Sequence, residues 1–487
     1  MVVKPIGPGI SRSAWTSLWS MKTNKSATPS PSKVRREVLG GKRSEGRKLQ
    51  GQGRRVRRAQ VGRLRRGKPD PRVTGVGGLV DFNRFSQSVG VGVELRRSFG
   101  HLKSGPRVVY PMHTQLQLLL DLAVVGGERI FRLESFAADP LFKHLAGGFV
   151  PSIDTLYDDL RRLGPSELEG LEKLASAHGL SSVKAGNFER LTIDIDTTVT
   201  PVFGLQEGAL PGPNPRYHGR PSYHPILARV AETQTLLGAR LRPGNRGFGE
   251  LDREDVEQWL DRVREASGPD TILTVRIDAA GDCAEILSAI HRKKAYFLVK
   301  AKQGSGIISS VKFASKWHVL DRDAFGRPCR EMAIVDFRRD SWPAELAAST
   351  RVIAIRDNDR RSGRQVCLWD DLDHSVQIYL TNDLDQDPAV LAASYDGRAG
   401  IETLISDLKA DFGIGKTSTS SFDANEALFL IRVLAYNLVR RWIQASSTMV
   451  RVWRMSWIRE AYILIPGRLL RAGGVLELRL APRPSLE

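Results

Sequence analysis

The stretch Tyr395-Asp-Gly-Arg-Ala-Gly-Ile-Glu-Thr-Leu-Ile-Ser-Asp-Leu-Lys409 combines an acid, two cations and a phenol at helical spacing. On a helix that advances about 100° per residue, an arc of about 60° holds the side chains of Tyr395, Arg398, Glu402 and Lys409. The positions beside this arc are apolar and can pack on a core: Ile401, Leu404, Ile405 and Leu408. An ordinary amphipathic helix with an i,i+4 pair between Arg398 and Glu402 fits the same pattern. The helix therefore indicates a site only together with other residues.

Two further acids follow predicted strands. Asp196 closes an alternating run that begins at Leu191, and Asp278 follows the apolar run 271–277. A carboxylate at the end of a buried strand is costly without a cation or hydrogen bonds, although each such acid alone is more typical of a turn. If Asp196, Asp278 and Glu402 converge, their oxygens suit Mg²⁺ or Mn²⁺. Asp194 lies on the same strand face as Asp196, so the first ligand remains open between them.

The order of the predicted elements indicates a mixed α/β fold. Residues 77–178 have helical patterns, with Ser152 as a candidate helix cap. Strand patterns begin at Leu191, continue at 199–203 and 226–237, and then alternate with helices. A strand-rich segment covers residues 303–385, with runs at 331–337, 351–356, 364–369 and 375–380. We therefore expect a mixed sheet covered by helices.

Charge is concentrated at the N-terminus. Residues 1–75 hold 20 of the 73 Lys and Arg residues but three of the 54 Asp and Glu residues, so most of the net charge of +19 lies there. Such a segment cannot bury enough apolar surface to fold, and it is either a disordered phosphate-binding tail or the product of an over-extended start. The three cysteines lack metal-ligand spacing, and no apolar run is long enough for a membrane helix. These features predict a cytoplasmic protein.

The three acidic segments carry a family resemblance. The spacing Tyr395/Arg398/Glu402/Lys409 resembles the YREK signature of the insertion-sequence-four superfamily of DDE transposases, and the contexts of Asp196 and Asp278 resemble that family's first two catalytic aspartates. The segment from Gly204 to Pro225 is similar to the thirteen-eighty subgroup. The resemblance implies an RNase H-like catalytic core with a β-rich insertion, an N-terminal helical domain and C-terminal helices.

The resemblance also implies domain boundaries. They are a basic tail (1–75), a helical DNA-binding domain (76–185), the first part of the core (186–302), the β-rich insertion (303–385), the second part of the core with the signature helix (386–445) and a C-terminal tail (446–487). Helices ending in Arg161 and Arg162 are compatible with a helix-turn-helix reader, and equally with a plain helical cap.

The implied activity is cut-and-paste DNA transposition. Two divalent metal ions held by Asp196, Asp278 and Glu402 would support cleavage at insertion-sequence ends and strand transfer into target DNA. The implied DNA contacts are Tyr395, Arg398, Lys409, Lys300 and Lys302. The implied partners are double-stranded DNA, as terminal inverted repeats and target, and a second copy of the chain in a synaptic dimer, located with the bacterial nucleoid when bound.

Several alternatives remain open on the sequence alone. Lys300 stands where the family leads us to expect an arginine-like residue, and Asp282 is a candidate partner of Asp278. His218 and His224 are candidate ligands, but packed or surface histidines are more common. A transposase-derived DNA-binding protein without catalysis, or a nuclease on the same core, would share these residues.

Overall fold

The computed structural model describes residues 64–214, 217–358, 374–446 and 453–482. Most of the basic tail, the predicted strand at 364–369 and Cys367 lie outside the described residues. Residues 70–481 form one compact unit. Among the helices that the structure describes, none is long and apolar enough to cross a bilayer.

The centre of the fold is a nine-stranded mixed sheet with the order β10-β11-β12-β13-β9-β8-β2-β6-β7. Its strands are β2 (Arg190–Thr197), β6 (Ile226–Val230), β7 (Thr235–Arg240), β8 (Ile272–Ile277), β9 (Tyr296–Lys300), β10 (His318–Arg322), β11 (Pro328–Val335), β12 (Arg351–Asn358) and β13 (His374–Thr381). Strands β2, β8 and β9 run parallel to one another, and all other neighbours are antiparallel. An antiparallel meander from β2 to β7, followed by β8 and β9 on the other side of β2, is the strand arrangement of an RNase H-like core.

Helices cover this sheet and form the N-terminal region. Before the sheet come α1 (Leu79–Ser88), α2 (Val91–Phe99), α3 (Met112–Val124), α4 (Leu133–Ala137), α5 (Pro140–Leu145), α6 (Ile153–Leu160) and α7 (Pro165–Ala185). Within and after the sheet come α8 (Arg253–Ser267), α9 (Ala284–Arg292), α10 (Ser305–Lys312), α11 (Ala344–Ser349), α12 (Pro388–Tyr395), α13 (Ala399–Asp411), α14 (Phe422–Ser446) and α15 (Met455–Ile458). The predicted cap Ser152 is confirmed, since its hydroxyl accepts from the Thr155 amide at 3.2 Å.

Two small sheets complete the described structure. One contains β1 (Val73–Thr74), β14 (Gly467–Ala472) and β15 (Val475–Leu480), and the other contains β3 (Thr200–Pro201), β4 (Leu210–Pro211) and β5 (Pro221–Tyr223). The segment that we expected to be a C-terminal tail thus contains a hairpin, and β14 pairs with β1.

The main core forms where one face of the sheet meets helices. In β2 the apolar residues Leu191, Ile193 and Ile195 alternate and pack with residues of α8 such as Trp259. Burying each such side chain stabilises the fold by about 1.5–3 kcal/mol. The opposite face of β2 carries Asp194 and Asp196, and α13 packs against this strand. The sequence alternation therefore separates a structural face from a face available for chemistry.

The structure differs from the sequence-based expectation at one run of residues. The run 226–237 is two strands, because the chain turns between β6 and β7 at Gln234, whose φ is 56°. The described strands within 303–385 extend the central sheet, since β13 pairs with β9 and adds β10 to β13.

The α14 helix joins the N-terminal helices to the sheet. It is 25 residues long, and most of its side chains are buried. The fully buried Asn437 accepts from the Leu236 amide and donates to the carbonyls of Leu236 and Ala175, each at 2.8 Å. One side chain therefore ties α14 to both α7 and β7.

Candidate active site

Three acids from separate elements surround one arginine. Arg398 Nη2 lies 3.0 Å from Asp196 Oδ1 and 3.9 Å from Asp278 Oδ2, and its Nη1 lies 3.3 Å from Glu402 Oε1. The Arg398 side chain is nearly buried, whereas those of Asp278 and Glu402 are 44% and 65% exposed. The acids singled out in the sequence thus meet at one position that solvent reaches from the side of Asp278 and Glu402.

The strand register explains why the two aspartates meet. Strands β2 and β8 are parallel, and Asp194 stands opposite Arg276. Continuing this register by two residues brings Asp278 beside Asp196. Asp278 also begins a short 3₁₀ turn, and its carboxylate accepts from the Ala280 amide at 2.9 Å. Adjacent parallel strands present their carboxyl ends at the same edge, which is where ligands bind in open α/β sheets.

The periodicity of the signature stretch predicted one continuous α-helix. The structure instead divides the stretch into two helices joined by a tighter turn. Tyr395 ends α12, residues Asp396–Arg398 form a 3₁₀ turn, and α13 starts at Ala399. Asp396 and Gly397 are poor helix formers, and a tighter turn there is a common connector. The predicted apolar stripe of α13 is buried: Ile401, Leu404, Ile405 and Leu408.

The predicted phosphate contacts already have partners within the protein. The Tyr395 hydroxyl donates to the Ile277 carbonyl at 3.1 Å, and its ring packs 4.9 Å from that of Tyr379. Lys409 Nζ donates to the Val199 carbonyl at 3.0 Å. These bonds tie the signature segment to the chain beside Asp278 and just beyond Asp196.

Burial and like charges alter the acid–base behaviour of the site. Burial, together with the charges of Asp278 and Glu402, raises the pKa of Asp196 to about 6, although Arg398 lowers it. Burial also raises the pKa of Tyr395 above its usual range and lowers that of Lys409. Burial would lower the pKa of Arg398, but the surrounding acids outweigh it and raise that pKa. The three carboxylates thus share the charge of one guanidinium.

The site contains carboxylate oxygens but no assembled metal cage. Among the described residues, no three His, Cys, Asp or Glu side chains are close enough together to hold a metal ion. The guanidinium of Arg398 lies between the three acids and pairs with each of them. The donor chemistry nevertheless fits a hard divalent cation, since all three groups supply oxygen.

Other candidates from the sequence lie in different surroundings. Asp194 is fully buried and ion-paired with Arg229 and Arg276. Asp282 binds Arg339 and accepts from the Lys302 amide at 2.7 Å. These contacts leave neither acid facing the cluster around Arg398.

The candidate histidines and basic residues are also placed by the structure. His224 Nε2 lies 3.1 Å from the Thr197 hydroxyl, next to Asp196, whereas His218 is exposed. Lys302 Nζ donates to the Asp282 carbonyl at 3.0 Å, and Lys300 ends β9.

On α6 and its C-terminal turn, Arg161 pairs with Asp158 and Arg162 with Asp159. These two arginines are thus engaged with acids one helical turn away.

Sequence reasoning missed the partners of Asp194. Arg229 lies on β6 and Arg276 on β8, at positions that register with Asp194 across three strands. The signal in the sequence was a pair of glycines, Gly397 and Gly400, within a helical pattern, where glycine is unfavourable unless something packs closely.

The family described as transposase DDE domain, group 1, matches residues 60–484, a range that includes all three acids and the signature stretch. No curated protein matches the sequence significantly. Among solved structures, the chain is similar to the piggyBac transposase in a cryo-EM synaptic complex with hairpin DNA, with 10% identity and a TM-score of 0.43 over 79% of each chain.

Proposed function

The chain belongs to the DDE transposase family, group 1, and on that premise we propose that it cuts DNA at the ends of an insertion sequence and joins them to target DNA by a cut-and-paste pathway. The observation that carries this proposal is the convergence of Asp196, Asp278 and Glu402 on Arg398. The finer assignment, to the insertion-sequence-four superfamily and its thirteen-eighty subgroup, is supported by the spacing of the signature stretch and by the segment from Gly204 to Pro225.

In this proposal Asp196, Asp278 and Glu402 hold two divalent ions, Mg²⁺ or Mn²⁺. The pKa of Asp196 is raised first by burial and then by the charges of Asp278 and Glu402, and a bound cation would favour its ionised form. The exposed carboxylates of Asp278 and Glu402 are accessible to ions and to DNA. The ions would activate an attacking hydroxyl and stabilise the leaving oxygen of a phosphodiester. Asp194 is excluded from this set because its oxygens are occupied by arginines.

In this proposal the cationic side chains of the site bind phosphate groups of the DNA backbone. When no other cation is bound, Arg398 neutralises the acids. When a metal ion is bound to the acids, the planar guanidinium of Arg398 can bind a DNA phosphate. Lys409 and Tyr395 hold the signature segment through their carbonyl contacts and border the same position. Lys300 and Lys302 lie at the end of β9, the neighbour of β8 in the sheet, and complete the proposed DNA contacts.

The substrate is double-stranded DNA with terminal inverted repeats, and a second copy of the chain completes a synaptic dimer that holds both ends. The helical region 76–185 contributes to end recognition. The protein acts in the bacterial cytoplasm, at the nucleoid when it is bound to DNA.

A metal-titrated cleavage assay tests the proposal. The substrate is a duplex carrying the inverted repeats that flank the gene, incubated with Mg²⁺, Mn²⁺ or EDTA in the presence of a target plasmid. Metal-dependent cuts at the repeat end, with joined products, are expected. Binding without cleavage in either metal would identify a catalytically inactive DNA-binding protein, and cleavage without joined products would identify a nuclease.

A further inference from the structure

Asp194, Arg229 and Arg276 form a buried row of charges next to the signature segment. Asp194 Oδ2 accepts from Arg229 Nε at 2.9 Å, and its Oδ1 accepts from Arg276 Nε at 2.7 Å. Arg276 Nη2 adds a third bond at 3.1 Å. Asp194 has no exposed surface, and the two arginines are nearly buried. Such a set is costly to assemble, because two guanidinium groups share one carboxylate away from water.

The other side of both guanidinium groups faces the main chain of the signature segment. A Cβ atom on Gly397 would lie less than 3.0 Å from Arg276, and one on Gly400 less than 3.0 Å from Arg229. Real side-chain carbons do not make such contacts. Arg276 also donates through Nη1 to the carbonyl of Ser394, in α12. A side chain at either position would have to displace a guanidinium, which is cheap for a free side chain but not here, because both groups are nearly buried and bound to Asp194. Neither glycine has a positive φ, so close approach is the reason that glycine suits these positions.

These contacts fix the residues that carry the site. Arg398 directly follows Gly397, and Glu402 lies two residues after Gly400, so any displacement of the glycines moves both side chains. Asp194 and Asp196 lie two residues apart on one strand. The row therefore links the strand that holds the first acid to the segment that holds the third acid.

We propose that Asp194, Arg229 and Arg276 are positioning residues, which seat Gly397 and Gly400 and thereby set the distance from Glu402 to Asp196 and Asp278. This inference rests on the proposed function. It also gives the acid at residue 194 a role although it faces no ligand. Changes to groups that orient metal-binding residues typically weaken metal affinity about 10- to 100-fold.

The test uses glycine substitutions with matched suppressors. Gly400→Ala should force Arg229 aside, and Arg229→Lys should relieve that clash because its slimmer ammonium group keeps the charge. Gly397→Ala should instead be relieved by Arg276→Lys. The crossed combinations, Gly400→Ala with Arg276→Lys and Gly397→Ala with Arg229→Lys, are the controls and should give no relief.

Two readouts are measured on the full-length protein. The first is the Mn²⁺ concentration for half-maximal nicking of the repeat-end duplex, which should rise about 10-fold or more in Gly400→Ala while the affinity for that duplex without metal stays within about 3-fold. The second is hydrogen exchange of residues 399–403, which should become faster in Gly400→Ala and recover with Arg229→Lys. An unchanged Mn²⁺ requirement, or equal relief by both lysine variants, would overturn the proposal.

The exchange readout separates this inference from the proposed function. If the wild-type protein does not nick DNA, the proposed function fails, but exchange at 399–403 still reports whether Arg229 seats this segment. Unchanged hydrogen exchange of residues 399–403 in Gly400→Ala would overturn the proposed positioning role of Arg229, whether or not the wild-type protein nicks DNA. If Gly400→Ala does not fold, Asp194→Asn, which removes the shared charge but keeps the shape, should produce the same faster exchange and higher Mn²⁺ requirement. Unchanged values in Asp194→Asn would refute it.

Discussion

Arg398 Nη2 lies 3.0 Å from Asp196 Oδ1, which makes this ion pair the shortest link between the arginine and the three acids. Both side chains are at least four-fifths buried, so the pair is poorly screened by solvent. It joins the first strand of the sheet to the turn before α13.

The pKa of Asp196 makes stability depend on pH. Because this pKa is about 6 in the folded protein, against an ordinary value of 3.8, the folded protein holds a proton between these pH values that the unfolded chain has released. Without divalent ions, stability should therefore fall as the pH rises through this window, by up to about 3 kcal/mol. Urea unfolding at pH 4 and pH 7 measures the change.

The matched variant is Asp196→Asn, which removes one of the acids that titrate in this window and should make the fall in stability smaller; Asp121 and Glu426, whose pKa values burial also raises, still contribute. Adding Mn²⁺ above pH 6 should stabilise the wild-type protein but not the variant. Parallel pH profiles for the two proteins would contradict the assignment of the proton to Asp196.

Glu402 should be required for cleavage but not for DNA binding. Glu402→Gln keeps the size of the side chain and removes one charged oxygen ligand, so the nicking rate should fall at least about 100-fold. Gel-shift affinity for the repeat-end duplex should stay near the wild-type value. The control is Glu254→Gln, which changes an exposed glutamate in the first turn of α8, as Glu402 is in the first turn of α13. Full activity in Glu402→Gln would assign the third ligand to another residue.

Lys409 should contribute one charge to DNA binding. Lys409→Gln can keep the hydrogen bond to the Val199 carbonyl but loses the cation. Affinity for the duplex should fall, and the slope of log K against log salt should decrease by about 1. Lys293→Gln, at a lysine already paired with Asp261 on α8, should leave both values unchanged. The same salt slope in Lys409→Gln and wild type would remove Lys409 from the phosphate contacts.

Asn437 should be important for stability. Asn437→Ala would remove three hydrogen bonds and leave buried groups of Leu236 and Ala175 unpaired, a cost of about 2–4 kcal/mol. The urea midpoint should fall accordingly. Ser446→Ala removes a single bond, to the Trp442 carbonyl in the same helix, and should change the midpoint little. Equal midpoints for the two variants would contradict the joining role of Asn437.

Local patterns in the sequence predicted much of this fold, while contacts between distant residues were not visible in them. The alternation of Leu191 to Asp196 and the apolar run before Asp278 predicted two strands, and both are present. The pairing of Asp194 with Arg229 and Arg276 spans 35 and 82 residues, and no local pattern reports such distances. The break at Asp396–Arg398 was missed for a different reason, because hydrophobic periodicity assumes one helix and does not weigh the poor helix formers Asp396 and Gly397.

The joining of β13 to β9 has a consequence for damaged copies of the gene. A copy that lost residues 303–385 would lose β10 to β13. Strand β9 would then become an edge strand of the central sheet. Its residues Phe297, Leu298 and Val299 are fully buried in the intact fold, and an uncovered apolar strand edge recruits other chains. Such an internally deleted product would tend to aggregate rather than persist as a compact competitor of the full-length protein.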